Sequence, residues 1–112
     1  MSLSAFDIEV VAEIKRIILA DLQVHYSIGY LAEKAGMSES RLKECFKAVM
    51  NTSLYAYLKK QRMLLAETLL AQNDKNLQQV SKLTGFKHCS NFTRAFRKQY
   101  GITPGLYRST NK

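Results

Sequence analysis

Apolar residues recur every three or four positions through most of this chain, the period of helices that bury one face. Val11, Ile14, Ile18 and Leu22 stripe a first helix over residues 5–22. Phe6 or Asp7 opens it. Asp7, Glu9 and Glu13 crowd its first turns and Lys15 and Arg16 follow, an order that suits the helix dipole. Its expected job is to lid a first lobe. Ile28 to Ala35 gives a short helix, with Ser27 as its N-cap. Gly36 stops it by taking a left-handed conformation that other residues resist. Ser38 then caps a helix whose Leu42, Phe46 and Val49 turn inward and whose Ser40, Lys43, Glu44 and Lys47 turn out. Asn51-Thr52-Ser53 breaks the chain, and the longest helix follows over residues 54–71. Its two apolar stripes, Leu54, Leu58, Leu65, Leu69 and Tyr57, Leu64, Ala71, suit packing on both lobes.

A polar turn over residues 72–76 leads into a short helix over 77–84 and a turn at Gly85. The next helix has two opposite faces. Phe92, Ala95, Phe96, Gln99 and Tyr100 fall on one, and Ser90, Thr93, Arg94 and Arg97 on the other. A row of hydroxyls and guanidinium groups is what a helix needs to enter a DNA major groove, although an ordinary basic surface helix has the same pattern. A second copy favours the groove. Ile28, Leu31, Ala32 and Gly36 match Leu77, Val80, Ser81 and Gly85, each 49 positions later. Leu42, Phe46 and Asn51 match Phe92, Phe96 and Gly101, each 50 positions later. One residue is therefore inserted between the glycine and the second helix. Each unit reads short helix, glycine turn, second helix, the grammar of a helix-turn-helix. Thr103 caps a last short turn with Pro104 at its first helical position, and residues 109–112 are expected to fray.

A length of 112 residues suits one compact all-helical domain or two small lobes. Within it we expect a first lobe over residues 5–52, a linker helix over 53–72 and a second lobe over 73–109. No apolar run is long enough to cross a membrane, and the N-terminus lacks the basic-then-apolar pattern of a signal peptide. Met1-Ser2-Leu3 is a candidate leader. The two cysteines, Cys45 and Cys89, and the two histidines show no ligand spacing, so no metal and no cofactor is implied. Cys45 reads as a small core residue, and the cysteine usage fits a reducing cytosol.

Charge sharpens the picture. The net charge is +8, yet residues 1–74 carry nine basic and nine acidic side chains, while residues 75–112 carry eight basic and no acidic ones. All the excess sits on the second unit. Nucleic acid is the first partner this implies, an acidic protein or a membrane the second. There is no amphipathic basic tail for a membrane surface. An enzyme has no support: no nucleophile–base–acid set, phosphate-cradling loop or carboxylate pair is present.

Gly85-Phe86, Asn91-Phe92-Thr93-Arg94-Ala95-Phe96-Arg97-Lys98, Gly101-Ile102-Thr103-Pro104 and Tyr107-Arg108 resemble the signature of the AraC/XylS family DNA-binding domain. Leu31-Ala32, Ala35-Gly36-Met37-Ser38 and Phe46-Lys47 are similar to its first helix-turn-helix, and Arg62, Ala66 and Leu69-Leu70 to its linker helix. The likeness covers roughly residues 23–108. It implies two homeodomain-like helix-turn-helix subdomains joined by a long helix, binding adjacent major-groove segments of promoter DNA as a transcription regulator, commonly an activator. It implies a bacterial protein at the nucleoid, RNA polymerase as a further partner, and an N-terminal effector-binding or dimerisation domain beyond the segment in hand. Its base-reading positions fall on Ser40, Lys43 and Glu44 in unit one and on Cys89, Ser90, Asn91 and Arg94 in unit two. Two residues depart from its pattern. His88 stands where the family usually has a Ser or Asp cap, and Glu44 where it often has a base-reading cation or amide.

Chemistry assigns the roles further. Arg94 suits bidentate contact with guanine O6 and N7, with a phosphate contact as the alternative. Arg97 and Lys98 suit phosphates, and Lys47, Lys87 and Thr93 join them. Lys43 suits either. Phe86, Phe92 and Phe96 share the apolar face and read as core. Glu44 either accepts from cytosine N4 or pairs with Arg41 or Lys47 on its own helix. The rival class is a helical protein-interaction module with an acidic partner, separable from a DNA binder by salt dependence on duplex DNA.

Overall fold

A computed structural model describes residues 2–110, and among these every regular element is a helix. In order they are α1 (Ala5–Ala20), α2 (Ile28–Ala35), α3 (Glu39–Met50), α4 (Leu54–Gln72), α5 (Leu77–Leu83), α6 (Cys89–Tyr100) and α7 (Pro104–Thr110). The chain forms two compact units, Met1–Lys59 and Lys60–Lys112, and the boundary runs inside α4.

Unit one is built on α1, α2, α3 and the start of α4. Val11, Ile14 and Ile18 bury fully against Leu31, Leu42, Cys45 and Phe46, with Leu58 closing the cluster. Each such side chain contributes roughly 1.5–3 kcal/mol on leaving water. α1 begins at Ala5, as expected, but Ser4 caps it rather than Phe6 or Asp7 opening it. Ser4 accepts from the Asp7 amide at 3.1 Å while the Asp7 carboxylate accepts from the Ser4 amide at 3.0 Å, a reciprocal cap. α1 stops at Ala20, so Leu22 lies beyond the helix and packs only partly on the cluster. Leu3, placed in the candidate leader, packs on the same cluster, and Met1 of that leader lies outside the described residues.

Unit two closes around three rows. Met63, Ala66 and Leu70 of α4 meet Val80 of α5 and the fully buried Phe92 and Phe96 of α6. Phe96 is the hub: its ring lies 5.9 Å from Phe92, 4.6 Å from Tyr100 and 5.5 Å from Tyr107. Such pairs add about 0.5–1.5 kcal/mol each beyond area burial.

Three expectations need correction. The buried positions of α4 are Leu58, Met63, Ala66 and Leu70, while Leu64 and Ala71 are exposed. The five-residue step from Leu58 to Met63 breaks any single stripe, because the helix serves one cluster with its first turns and the other with its later ones. Gln99 is exposed, not buried beside Phe96. The last short turn is a helix, α7, running through Ser109 and Thr110, where the Thr110 hydroxyl donates to the Leu106 and Tyr107 carbonyls at 3.1 Å. Residues 111–112, also expected to fray, lie outside the described residues.

Candidate nucleic-acid interface

The two glycine turns are the same turn, bond for bond. Gly36 takes φ 67 and Gly85 φ 90, left-handed values that a side chain resists. Gly36 N donates to Glu33 O at 3.2 Å and Met37 N to Ala32 O at 3.1 Å. Forty-nine positions on, Gly85 N donates to Lys82 O and Phe86 N to Ser81 O, both at 3.0 Å. These paired bonds close the first helix and aim the second. The exit is duplicated too. Asn51 (φ 58) and Gly101 (φ 81) end α3 and α6 with amides donating to Lys47 O and Arg97 O at 2.8 and 2.7 Å.

The repeat extends further than the apolar matching reveals. Ser53 caps α4 through the Ala56 amide at 3.1 Å, and Thr103 caps α7 through the Leu106 amide at 3.2 Å. Tyr57 stands edge-on to Phe46 at 5.5 Å, as Tyr107 does to Phe96 at 5.5 Å. α7 is thus the unit-two counterpart of the first turns of α4. The signal was present as Ser53/Thr103 and Tyr57/Tyr107, each 50 positions apart.

These frames present α3 and α6. On α3, Ser40, Lys43, Glu44 and Lys47 are all exposed, while Leu42, Cys45 and Phe46 are buried. On α6, Ser90, Asn91, Arg94, Arg97 and Lys98 are exposed, Cys89 and Thr93 are half-buried, and Lys87 is exposed just before the helix. Each helix borders a cleft shared with the cap of the next one. In unit one Lys43 and Lys47 line it with Ser53, Leu54 and Tyr55. In unit two Thr93 and Arg97 line it with Thr103, joined by Ser90, Arg94 and Lys98. Lys43, Lys47 and Ser53 correspond to Thr93, Arg97 and Thr103 at the same 50-residue offset. Thr103 and Ser53 were not among the expected site residues.

Lys87 and Cys89 border a different cleft, with Gln78, Lys82 and His88. Gln78 and Lys82 also escaped the sequence reading, although they stand one turn apart on the polar side of α5. The α6 start lacks a side-chain cap at His88, as its residue type implies. Burial pushes the Cys45 thiol up, which fits a core residue and not a nucleophile. Neither suggested partner of Glu44 is in ion-pair contact with it among the described residues. Arg41 instead bonds Asp7 at 2.9 Å.

The comparisons fit this geometry. Residues 31–110 match a family model described as a helix-turn-helix domain. The chain is 32% identical to the probable transcriptional regulator LumQ of Photobacterium leiognathi, over 96% of this chain and 45% of LumQ. It is 30% identical to the HTH-type transcriptional activator CfaD of Escherichia coli, over 82% of this chain and 34% of CfaD. It therefore spans less than half the length of either. Among solved structures it is similar to the DNA-binding domain of AdpA, a global transcriptional factor crystallised with a target DNA, at 28% identity and TM-score 0.84, covering 89% of this chain and 90% of that one. Two helix-turn-helix frames repeated bond for bond, and a match over most of their length, lead to one conclusion: the chain belongs to the AraC-type helix-turn-helix family of DNA-binding domains.

Proposed function

We propose that this chain binds double-stranded promoter DNA sequence-specifically as the DNA-binding part of a longer transcription regulator, laying α3 and α6 in adjacent major-groove segments. The observation that carries the reading is the pair of polar faces, equivalent by the repeat, that α3 and α6 leave exposed. Ser40, Lys43 and Glu44 on α3, and Cys89, Ser90, Asn91 and Arg94 on α6, face the bases. Lys47, Lys87, Thr93, Arg97 and Lys98 take phosphates, which fix register without reading sequence. The role is binding and not catalysis. The sense of regulation is activation, the role that CfaD's name gives that relative, with RNA polymerase as the second partner. In the whole regulator an effector-binding or dimerisation domain would accompany this one, working in the cytoplasm at the nucleoid. Selection from a randomised duplex pool, followed by footprinting, tests the proposal. An asymmetric site of about two helical turns or less is expected, with affinity falling steeply in salt. A footprint of half a turn, or binding indifferent to salt, would sink it.

A further inference from the structure

One charged pair in unit one has no counterpart in unit two. Arg41, third residue of α3, donates from Nη2 to Asp7 Oδ2 at 2.9 Å, joining two helices 34 positions apart. Asp7 lies on α1, ahead of the segment that matches the family model. The Asp7 side chain is 7% exposed and the Arg41 side chain 43%. By the 50-residue offset Arg41 corresponds to Asn91, an uncharged member of the proposed reading face. Arg41 is half-buried between the outward Ser40 and the inward Leu42, on the flank of α3 that the proposed docking would bring near the groove's phosphates.

We propose that Asp7 sets how strongly unit one binds DNA regardless of sequence, by holding the Arg41 guanidinium out of phosphate contact. The inference rests on the proposed function above. Three features favour retention of the pair when DNA arrives. The carboxylate is fixed, since the same Oδ2 accepts from the Ser4 amide at 3.0 Å within the α1 cap. It is also largely buried, so a departing guanidinium would leave it with the Ser4 amide as its remaining partner, and breaking such a pair costs more than breaking an exposed one. The helix dipole also opposes a cation in the first turn of α3, and the Asp7 charge offsets that. On α6 no such device is seen: residues 75–112 contain no acid, and among the described residues Arg94, Arg97 and Lys98 stand in no ion pair. Asp7 thereby lowers the sequence-independent share of binding in unit one and leaves the exposed Ser40, Lys43 and Glu44 to decide it.

The test is a salt titration of binding to a duplex of random sequence, run on the whole chain as wild type, Arg41→Ala, Asp7→Asn and the double variant, with helix content checked by circular dichroism. Asn keeps an acceptor for the α1 cap. Asp7→Asn should bind more tightly at low salt and steepen the salt slope by about one, the signature of one added phosphate contact. Arg41→Ala should keep the wild-type slope, and the double variant should return to it. A slope reduced by about one in Arg41→Ala would mean that Arg41 already holds a phosphate, and overturns the proposal. So does a folded Asp7→Asn with an unchanged slope. If Asp7→Asn does not fold, Asp7→Ser carries the same expectation. Wild type that fails to bind any duplex defeats the proposed function as well, whereas binding with the wrong slopes defeats only this inference.

Discussion

The Arg94 guanidinium donates from Nη1 to the side-chain oxygen of Asn91, 3.4 Å away and one turn earlier on the exposed face of α6. At that length the contact steers the arginine more than it locks it. A steered arginine keeps its remaining donors for a guanine edge. Arg94→Ala should therefore cost about 1–3 kcal/mol on the preferred site and relax preference at one base pair. Arg97→Ala should weaken binding to all sequences alike and reduce the salt slope by about one. Selected-site profiles of the two variants check this. Identical profiles would mean the two roles are wrongly assigned.

His88 offers a separate test, of stability. Its backbone is extended (φ −122, ψ 133), as an N-cap requires, but its side chain accepts nothing from the first turn of α6. Ser38, in the same place in unit one, accepts from the Arg41 amide at 3.1 Å. His88→Ser should supply the missing acceptor and stabilise the chain by about 1 kcal/mol. Urea unfolding would register a higher midpoint with an unchanged slope. A midpoint that stays put or falls would mean that the bare α6 start costs nothing to repair.

Much of this architecture is legible in the sequence because local chemistry dictates it. Gly36, Gly85 and Asn51 sit where a left-handed residue must stand, and Ser27, Ser38 and Ser53 where a cap must. Phe92 and Phe96 declare the buried side of α6 by spacing alone. The errors in α4 and at Asp7 have one cause: burial set by a neighbour distant in sequence. Helical period alone cannot place Leu64 outside and Met63 inside when α4 serves two clusters in succession. Nor can it bury Asp7, whose partner Arg41 lies 34 positions on. The exposed faces of α3 and α6 were readable for the same reason the buried ones were, but which of their groups meets a base depends on the DNA.

The Tyr100 phenol is pushed up to about 12, first by burial, then by the Glu67 carboxylate and the hydrogen bond to it, then by Tyr107. Tyr107 is raised as well, by burial and by Glu67. A phenol held protonated in the fold adds stability that is complete below the unfolded value, about 10, and is lost as pH rises through the folded one. The chain should thus lose stability in strong alkali, between the ordinary tyrosine range and about 12. An ultraviolet titration of the six tyrosines should find a late-ionising fraction that Glu67→Gln brings down toward the rest. Tyrosines that all ionise together near the ordinary value would contradict the burial of Tyr100, and a late fraction unmoved by Glu67→Gln would contradict the influence of Glu67.

Glu44 is exposed on α3 and stands in no ion pair among the described residues, and Arg41, one of its two candidate partners, bonds Asp7 instead. A carboxylate on that face repels phosphates and so weakens binding to every sequence. It gains a use there only by accepting from a base, and cytosine N4 is the natural donor in the major groove. Glu44→Gln should therefore tighten binding to random duplex while flattening preference at one position of the selected site. The alternative is a charge that merely tunes α3 through Lys47, worth a few tenths of a kcal/mol. It predicts tighter binding throughout with the base profile intact. Wild type and variant, selected at the same salt, distinguish the two. An unchanged profile would leave Ser40 and Lys43 as the readers of unit one.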